Sequence, residues 1–165
     1  MNADSADGGN SDISGLKTIL LAVSGSDENR VDDLVDVIKE IALPVDAAVT
    51  VVYMFDSDSH KETIQNISKN PDEYIGPDEL ASQMTVVEAI ADRLEEASID
   101  YEVRAATGTK GDSIVNIAAE SNTDRVVIGG QSRSPTGKAL FGSRVQKVLL
   151  NAPCPVTFIR EQERR

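Results

Sequence analysis

The chain has 165 residues, of which 40% are hydrophobic and 27% are charged, and these values suit one globular domain and exclude wholesale disorder. No apolar run approaches the ~20 residues that a membrane-spanning helix needs, and the single cysteine, Cys154, excludes an internal disulfide and fits a reducing cytoplasm. The net charge of −12 should repel nucleic acid and anionic membranes over most of the surface, and we expect high salt to stabilise the chain by screening its self-repulsion, as in proteins of salt-adapted organisms.

The first predicted element follows a polar leader. Residues 1–14 hold three aspartates and no basic residue, so we expect a disordered leader there and no secretory signal. A single α/β domain is expected over residues 15–161. It begins with the apolar run Leu16–Val23, which predicts a buried strand ending in a turn at Ser24.

A helix and a second strand come next. Apolar residues recur at helical spacing over 31–41, and Ser26 or Asp27 can cap the start of this predicted helix. The β-branched run Ala47–Phe55 predicts another buried strand. The segment 56–77 is polar and is predicted to be the loosest part of the chain.

The second half of the chain continues the alternation of helices and strands. Its predicted elements are a long helix from about Asp78, a strand near 101–105, a helix from 111–113, a strand over Arg125–Gly129, a helix from about Gly142 and a last strand over Val156–Ile159. Four strand–helix repeats and a closing strand predict an α/β fold with a five-stranded, parallel, doubly wound sheet and helices on both faces. Ligands of such sheets bind beyond the carboxyl ends of the strands, at the switch point in strand order.

Charge is distributed unevenly along the chain. Residues 125–160 contain six basic residues and no acidic one, although the whole chain has 28 acids. Strand burial explains part of this pattern, but it does not explain the polar stretch 129–143, GGQSRSPTGKALFGS. Glycine N–H groups, a helix N-terminus and the cations Arg133 and Lys138 can together bind phosphate. We favour an anion site there, and the alternative is that the glycines only permit tight packing.

Two well-known phosphate-binding patterns do not fit. The segment SRSPTGKA at 132–139 resembles the P-loop pattern but lacks its first glycine and the hydroxyl residue that binds the metal. The turn SGSDEN after the first strand lacks the G-x-G-x-x-G spacing of a dinucleotide site. A P-loop NTPase is therefore rejected, and a dinucleotide-binding Rossmann site is disfavoured.

Short motifs at three places match one known family. They are Thr107-Gly108 after the third strand, Gly129 with nine residues (133–141) before Gly142-Ser143, and NAPCPV at 151–156. Together they resemble the universal stress protein family over residues 16–160. The resemblance implies the strand order 3-2-1-4-5, homodimers often formed through the last strand, and, in one subgroup, ATP bound at the switch point.

The resemblance also implies, position by position, which residues would hold a nucleotide. Near the base and ribose would lie Ala22, Val23 and Ser24, with Met54 beside the adenine. Ribose and phosphates would contact Gly129, Ser132, Gly142 and Ser143, with Arg133 neutralising charge. Two positions depart from the ATP-binding pattern, because Ser24 replaces an aspartate and Ser132 replaces a glycine. Serine can bond to phosphate, so nucleotide binding and a purely structural role for the glycines both stay open.

Other reactive side chains have simpler interpretations. His60 lies near Asp56 and Asp58, but no cysteine or second histidine supports a metal site there, and a solvated loop is the better interpretation. We therefore expect no metal other than magnesium accompanying a nucleotide. The loop serines have no histidine base, which leaves a serine nucleophile unsupported. Cys154, between two prolines, is predicted to be a packed apolar residue.

These observations favour a cytoplasmic, non-enzymatic stress-response or regulatory module that binds ATP or another adenine nucleotide. We expect a homodimer through the last strand, around Val156 and Phe158, because an apolar edge strand must be covered or paired. One alternative is a nucleotide-free interaction module whose acid-free segment meets an anionic patch on a protein partner. The other alternative is an enzyme that hydrolyses ATP slowly at the same loop.

Overall fold

A computed structural model of the chain describes residues 15–55, 75–107, 111–130 and 141–160. Within these ranges the strands are β1 Thr18–Val23, β2 Ala48–Phe55, β3 Tyr101–Thr107, β4 Arg125–Gly130 and β5 Val156–Arg160. The α-helices are α1 Val31–Ala42, α2 Pro77–Ser82, α3 Thr85–Glu96, α4 Asp112–Glu120 and α5 Ser143–Asn151. Short 3₁₀ helices at Gly25–Arg30 and Leu43–Val45 flank α1.

The strands form one sheet in the order β3-β2-β1-β4-β5. Every neighbouring pair is parallel. The predicted fold class and strand order are thus confirmed. The order reverses between β1 and β4, which makes the carboxyl ends of these two strands the switch point.

Side chains alternate across the sheet and divide the core in two. On one face Ile19, Leu21 and Val23 of β1 pack in a cluster with buried residues of α1, α2 and α3. On the other face Leu20 and Ala22 pack with buried residues of α4 and α5. Both faces of the parallel sheet are therefore covered, as its near-continuous apolar strands require.

The long helix predicted from Asp78 is wrong, because the structure has two helices with a break at Gln83-Met84. Met84 has an extended backbone, with φ −73° and ψ 139°, and begins α3. Leu80 and Val86 are both buried in the same cluster. In a continuous helix their six-residue separation would point them about 120° apart, so the break allows both to reach the core.

The predicted cap of the first helix is also displaced. The N-cap position of α1 is Arg30, rather than Ser26 or Asp27, and Ser24 instead caps the 3₁₀ helix Gly25–Arg30 that leads into α1. The physical reason is that the Asp27 side chain bonds back to Ser24, which starts helical structure earlier than the apolar periodicity indicates.

β5 forms one edge of the described sheet, and its neighbour there is β4. Cys154 is half-buried and packs against the cluster beneath α4 and α5, and burial raises the pKa of its thiol. Among the described residues, no helix combines the length and apolar character needed to cross a bilayer.

Candidate ligand site at the switch point

The candidate site lies where β1 and β4 end side by side. Ala22 of β1 is opposite Ile128 of β4 in the parallel register, and the chain then leaves the two strands toward opposite faces. Ala22 and Val23 are fully buried, and Ser24 is also buried. Side chains at this end of β1 therefore belong to the core, and the backbone is the part that borders the switch point.

The turn after β1 is held by a buried carboxylate. Asp27 Oδ2 accepts the backbone N–H of Ser24 at 2.8 Å and the Ser24 hydroxyl at 3.4 Å. The Ser24 hydroxyl also lies 2.8 Å from the Ser26 hydroxyl. Since Ser24 caps the 3₁₀ helix, Asp27 provides the reciprocal half of a capping box. The N-terminus of this helix is thus stabilised by an anion from its own chain.

A second side chain balances the charge of Asp27. Arg30 Nε lies 3.2 Å from Asp27 Oδ1, and the two side chains are only 8% and 4% exposed. Burial raises the pKa of Asp27, although the hydrogen bond from the Ser24 N–H and the positive charges of Arg30 and Arg144 act in the opposite direction. Among the described residues Arg30 Nε and Nη1 form no hydrogen bond, and Nη2 donates a 3.4 Å bond to the carbonyl of Ser26.

Gly129, at the end of β4, is packed directly against this pair. A Cβ atom at Gly129 would lie 2.9 Å from Arg30 Cδ and 3.4 Å from both Asp27 Oδ1 and Leu34 Cδ2. Such a contact with Arg30 is closer than real Cβ atoms make, so the neighbours would have to move. The packing interpretation of the glycines therefore holds for Gly129.

Gly142 is in a different situation. It caps α5 with ordinary φ and ψ angles of −59° and 157°, and no described atom lies within 4 Å of a Cβ built on it. Neither backbone strain nor packing against described residues requires a glycine there. Gly142 and Ser143 are exposed, and they begin the helix that follows β4 in the chain.

The N-terminus of α5 also has an unusual charge. The first helical bond runs from the Gln146 N–H to the Gly142 carbonyl, so the N–H groups of the first turn lie before the regular hydrogen bonds of the helix. The first turn of α5 has no acidic residue and contains Arg144, whereas each of the other described α-helices has an acid in its first turn. A cation at this end of a helix is unfavourable by itself, because it adds to the positive end of the dipole.

Arg144 borders a small open cleft on the α4–α5 face. Its lining residues come from β2, β3 and the starts of α4 and α5: Met54, Ala106, Gly111, Ser113, Ile114 and Arg144. The cleft is open, and the empty space of about 190 Å³ beside its lining residues includes solvent on the open side. The Ser113 hydroxyl donates to the carbonyl of Thr107 at the end of β3. A cation, a hydroxyl and an apolar Met54 side chain thus meet in one depression.

Gly111 fixes the α4 wall of this cleft against α5. Its φ of +79° favours glycine, and a Cβ there would lie 2.7 Å from the Arg144 carbonyl oxygen. Lys147 of α5 also pairs with Asp112 of α4 at 3.2 Å. The two helix starts are therefore held in close contact.

A family model described as "Universal stress protein family" matches residues 15–160. The chain belongs to the universal stress protein family. One relative is the "Universal stress protein in QAH/OAS sulfhydrylase 3′ region" of Thermus aquaticus. It is 30% identical over 157 residues, which cover 88% of this chain and 99% of that protein. Another, from Mycolicibacterium smegmatis, is 32% identical over 68 residues, 41% of this chain, and the match covers only about half of that relative, 52% of its length.

Solved structures of universal stress proteins share the fold. One from Archaeoglobus fulgidus has a TM-score of 0.64 and 26% identity, with 87% of this chain and 98% of that chain covered. A second from the same organism, in complex with dAMP, has a TM-score of 0.57 and 22% identity, covering 87% and 98%. A universal stress protein in complex with cAMP has a TM-score of 0.59 and 20% identity, covering 88% and 97%.

The structure brings most of the predicted site residues of this universal stress protein to one edge of the sheet. Those described are Ala22, Val23, Ser24, Met54, Gly129, Gly142 and Ser143. Ser132 and Arg133, together with Lys138 and His60, lie outside the described residues. In the described part of the chain, no three His, Cys, Asp or Glu side chains come together to hold a metal ion.

Sequence reasoning missed three contributors to the site. Asp27 was expected at a helix start but not as a buried anion, and Arg30 was not considered. Arg144 was counted only as one of the bases in the acid-free segment. Two signals were available in the sequence: a carboxylate three residues after Ser24 fits a capping box, and a cation in the first turn of a helix opposes the helix dipole.

Proposed function

We propose that this universal stress protein is a cytoplasmic regulatory module that binds an adenine nucleotide, with ATP as the first candidate, at the switch point. The observation that carries the proposal is the start of α5. There an exposed glycine, unfilled space and an acid-free first turn with a cation occur together, at the edge of the sheet where parallel α/β folds bind ligands. The relatives solved with dAMP and with cAMP support the same ligand class.

The described residues fit such a ligand in distinct ways. The N–H groups of Ser143 and Arg144 and the Ser143 hydroxyl would donate to phosphate oxygens, and the Arg144 guanidinium would balance their charge. The Met54 side chain would contact the base from the apolar side of the cleft. The backbone after β1, at Ser24, would border the ribose. A magnesium ion would arrive with the nucleotide, held by its phosphates.

We infer binding without catalysis. The described lining of the cleft contains no carboxylate and no histidine that could serve as a general base. The nearby carboxylates are already engaged, since Asp27 is buried against Arg30 and Asp112 pairs with Lys147. A nucleotide bound here would act as a signal that changes the surface presented to a protein partner.

Isothermal titration with ATP, ADP, AMP and cAMP tests the proposal, together with mass spectrometry of any nucleotide that purifies with the protein. Gly142→Asp should weaken ATP binding by about tenfold or more, because it places a carboxylate where phosphate would bind. Asp is a favourable N-cap residue, so the variant should stay folded. Absence of heat with all four nucleotides, and of any co-purified nucleotide, would refute the proposal.

Gly76→Asp is the matched control. Gly76 caps α2 with φ and ψ of −65° and 155°, nearly the angles of Gly142, and it also has no described atom within 4 Å of a built Cβ. Because α2 packs on the opposite face of the sheet, this substitution should leave the affinity for ATP unchanged. An equal loss in both variants would attribute the effect to net charge alone.

We also propose that the protein forms homodimers through β5. Its outer edge has no neighbour in the described sheet, and Val156 and Phe158 are half-buried on it. Pairing with a second copy would satisfy the edge backbone and cover these side chains. Light scattering at working salt should give the dimer mass. The Val126 N–H donates to the Pro155 carbonyl, so residues 155 and 157 bond to β4 and the Val156 N–H lies on the outer edge. Val156→Pro removes that outer donor and should give the monomer mass. A parent protein that is monomeric at all concentrations would contradict the proposal.

A further inference from the structure

The Asp27–Arg30 pair lies between the turn after β1 and the end of β4. On one side Asp27 holds the turn after β1 through the Ser24 N–H, at 2.8 Å. On the other side the pair packs against the end of β4, where a Cβ on Gly129 would be 2.9 Å from Arg30 Cδ and 3.4 Å from Asp27 Oδ1. One pair of side chains thus contacts both strand ends at the switch point.

The pair is a poor choice for stability alone. Both side chains are more than nine-tenths buried. Among the described residues Arg30 Nη1 has no hydrogen-bond partner, and Nε faces Asp27 Oδ1 at 3.2 Å without forming a hydrogen bond. Unpaired buried donors are costly, and apolar residues of similar volume often stabilise a fold as well as a buried ion pair does. The burial that raises the pKa of Asp27 points the same way, since the ionised form is not favoured by its surroundings.

We propose that the Asp27–Arg30 pair is a positioning device that fixes the spacing between the turn after β1 and the end of β4, so that the switch point has its shape before the ligand enters. The charge contact sets where Arg30 lies, and the Arg30 stem then sets how closely Gly129 can approach. This inference rests on the proposed function for its ligand. The fixed spacing between the turn after β1 and the end of β4 is a property of the ligand-free protein, so it does not depend on that function.

The test uses a double variant that removes the link and little else. Asp27→Asn keeps an oxygen that can accept the Ser24 N–H, and Arg30→Met keeps an unbranched side chain beneath Gly129. The pair Asp32→Asn with Arg93→Met is the control, because it removes an ion pair between α1 and α3 whose side chains are 60% and 38% exposed. Arg30→Lys is the conservative variant that retains the charge.

The double variant Asp27→Asn/Arg30→Met should remain folded, with a melting temperature within a few degrees of the parent, and should bind ATP at least tenfold more weakly. The control pair should bind like the parent, and Arg30→Lys should recover most of the affinity. A purely structural role would leave the ATP affinity of a fully folded variant unchanged. Parent-like ATP binding by the double variant would overturn the proposal.

Amide hydrogen exchange of the ligand-free proteins separates this inference from the proposed function. At Ser24 and Gly129 the double variant should exchange at least tenfold faster than the parent, while amides in the centre of β2 should not change. If the parent binds no nucleotide, the proposed function fails and the exchange data alone judge the positioning role. Unchanged exchange at both amides would overturn it.

Discussion

Two helix N-termini face the same edge of the sheet, and they differ in the charge that lies beside them. The 3₁₀ helix after β1 begins at Ser24 and is capped by Asp27, a buried anion of its own chain. α5 begins at Gly142, has no acid in its first turn, and carries Arg144 next to an open cleft. The positive end of the first helix is satisfied internally, whereas α5 begins at exposed residues and has no carboxylate in its first turn.

The difference separates a half of the switch point that side chains fill from a half where the described residues leave space. Side chains fill the space beneath Gly129, so the glycine there serves packing. Gly142 has no described neighbour within 4 Å of a built Cβ, so its smallness serves no contact within the described chain. A rigid β1–β4 junction beside an open cationic helix start is the arrangement expected of a preformed anion site.

The largest effect on the free energy of unfolding should come from removing the Asp27–Arg30 ion pair. Arg30→Met leaves Asp27 as a buried carboxylate without its charge partner, which should lower the free energy of unfolding by about 3–5 kcal/mol at neutral pH. Adding Asp27→Asn should recover most of that loss, because no uncompensated charge then remains. Urea unfolding followed by circular dichroism measures both variants. A double variant as unstable as Arg30→Met would show that the arginine acts through packing instead.

The pH dependence of Arg30→Met sharpens the same point. Burial already raises the pKa of Asp27 in the parent, and losing Arg30 should raise it further. A folded-state pKa above the unfolded value means that the contribution of Asp27 to stability is fully present below about pH 3.9 and is lost as pH rises through the folded pKa. The deficit of Arg30→Met relative to the parent should therefore shrink as the pH is lowered from 7 toward 5. A deficit that is constant across this range would contradict the assignment to Asp27.

Glycine substitutions compare the two halves directly. Gly129→Ala introduces a Cβ 2.9 Å from Arg30 Cδ and should cost about 1–3 kcal/mol by overpacking. Gly142→Ser meets no described atom and places a good N-cap residue on α5, so the free energy of unfolding should change by less than about 0.5 kcal/mol. Thermal unfolding distinguishes these results. Equal costs at the two positions would mean that the start of α5 is as tightly packed as the end of β4.

The sequence predicts the fold well because the fold depends on regular patterns. Apolar runs placed each of the five strands to within about two residues, and the resemblance supplied the strand order that the structure shows. The break at Met84 escaped prediction because the apolar spacing of 80, 87 and 94 fits one continuous helix, and only the burial of Val86 requires two.

The site was less predictable because it depends on pairs that are distant in sequence. Nothing in the order of residues shows that Arg30 lies beneath Gly129, or that Arg144 and Met54 line one cleft. The proposed roles of Ser132 and Arg133, and stabilisation of the protein by high salt, stay predictions. The charge pattern of residues 125–160 nevertheless singles out a segment that includes the start of α5, because strand burial explains only part of that pattern.

The smallest predicted effect tests whether α5 lacks an anion at its N-terminus. Ser143→Asp supplies one, and it should raise the free energy of unfolding by about 0.3–1 kcal/mol at low ionic strength through the helix dipole and the adjacent Arg144. The same carboxylate would occupy the phosphate position, so ATP binding should be lost as stability rises. Ser143→Asn, which has the same shape without the charge, should show no dipole-dependent gain in stability, and molar salt should abolish the gain of the aspartate. If aspartate brings no gain at low salt, the positive end of α5 is already satisfied, and the contrast between the two helix starts is smaller than the geometry indicates.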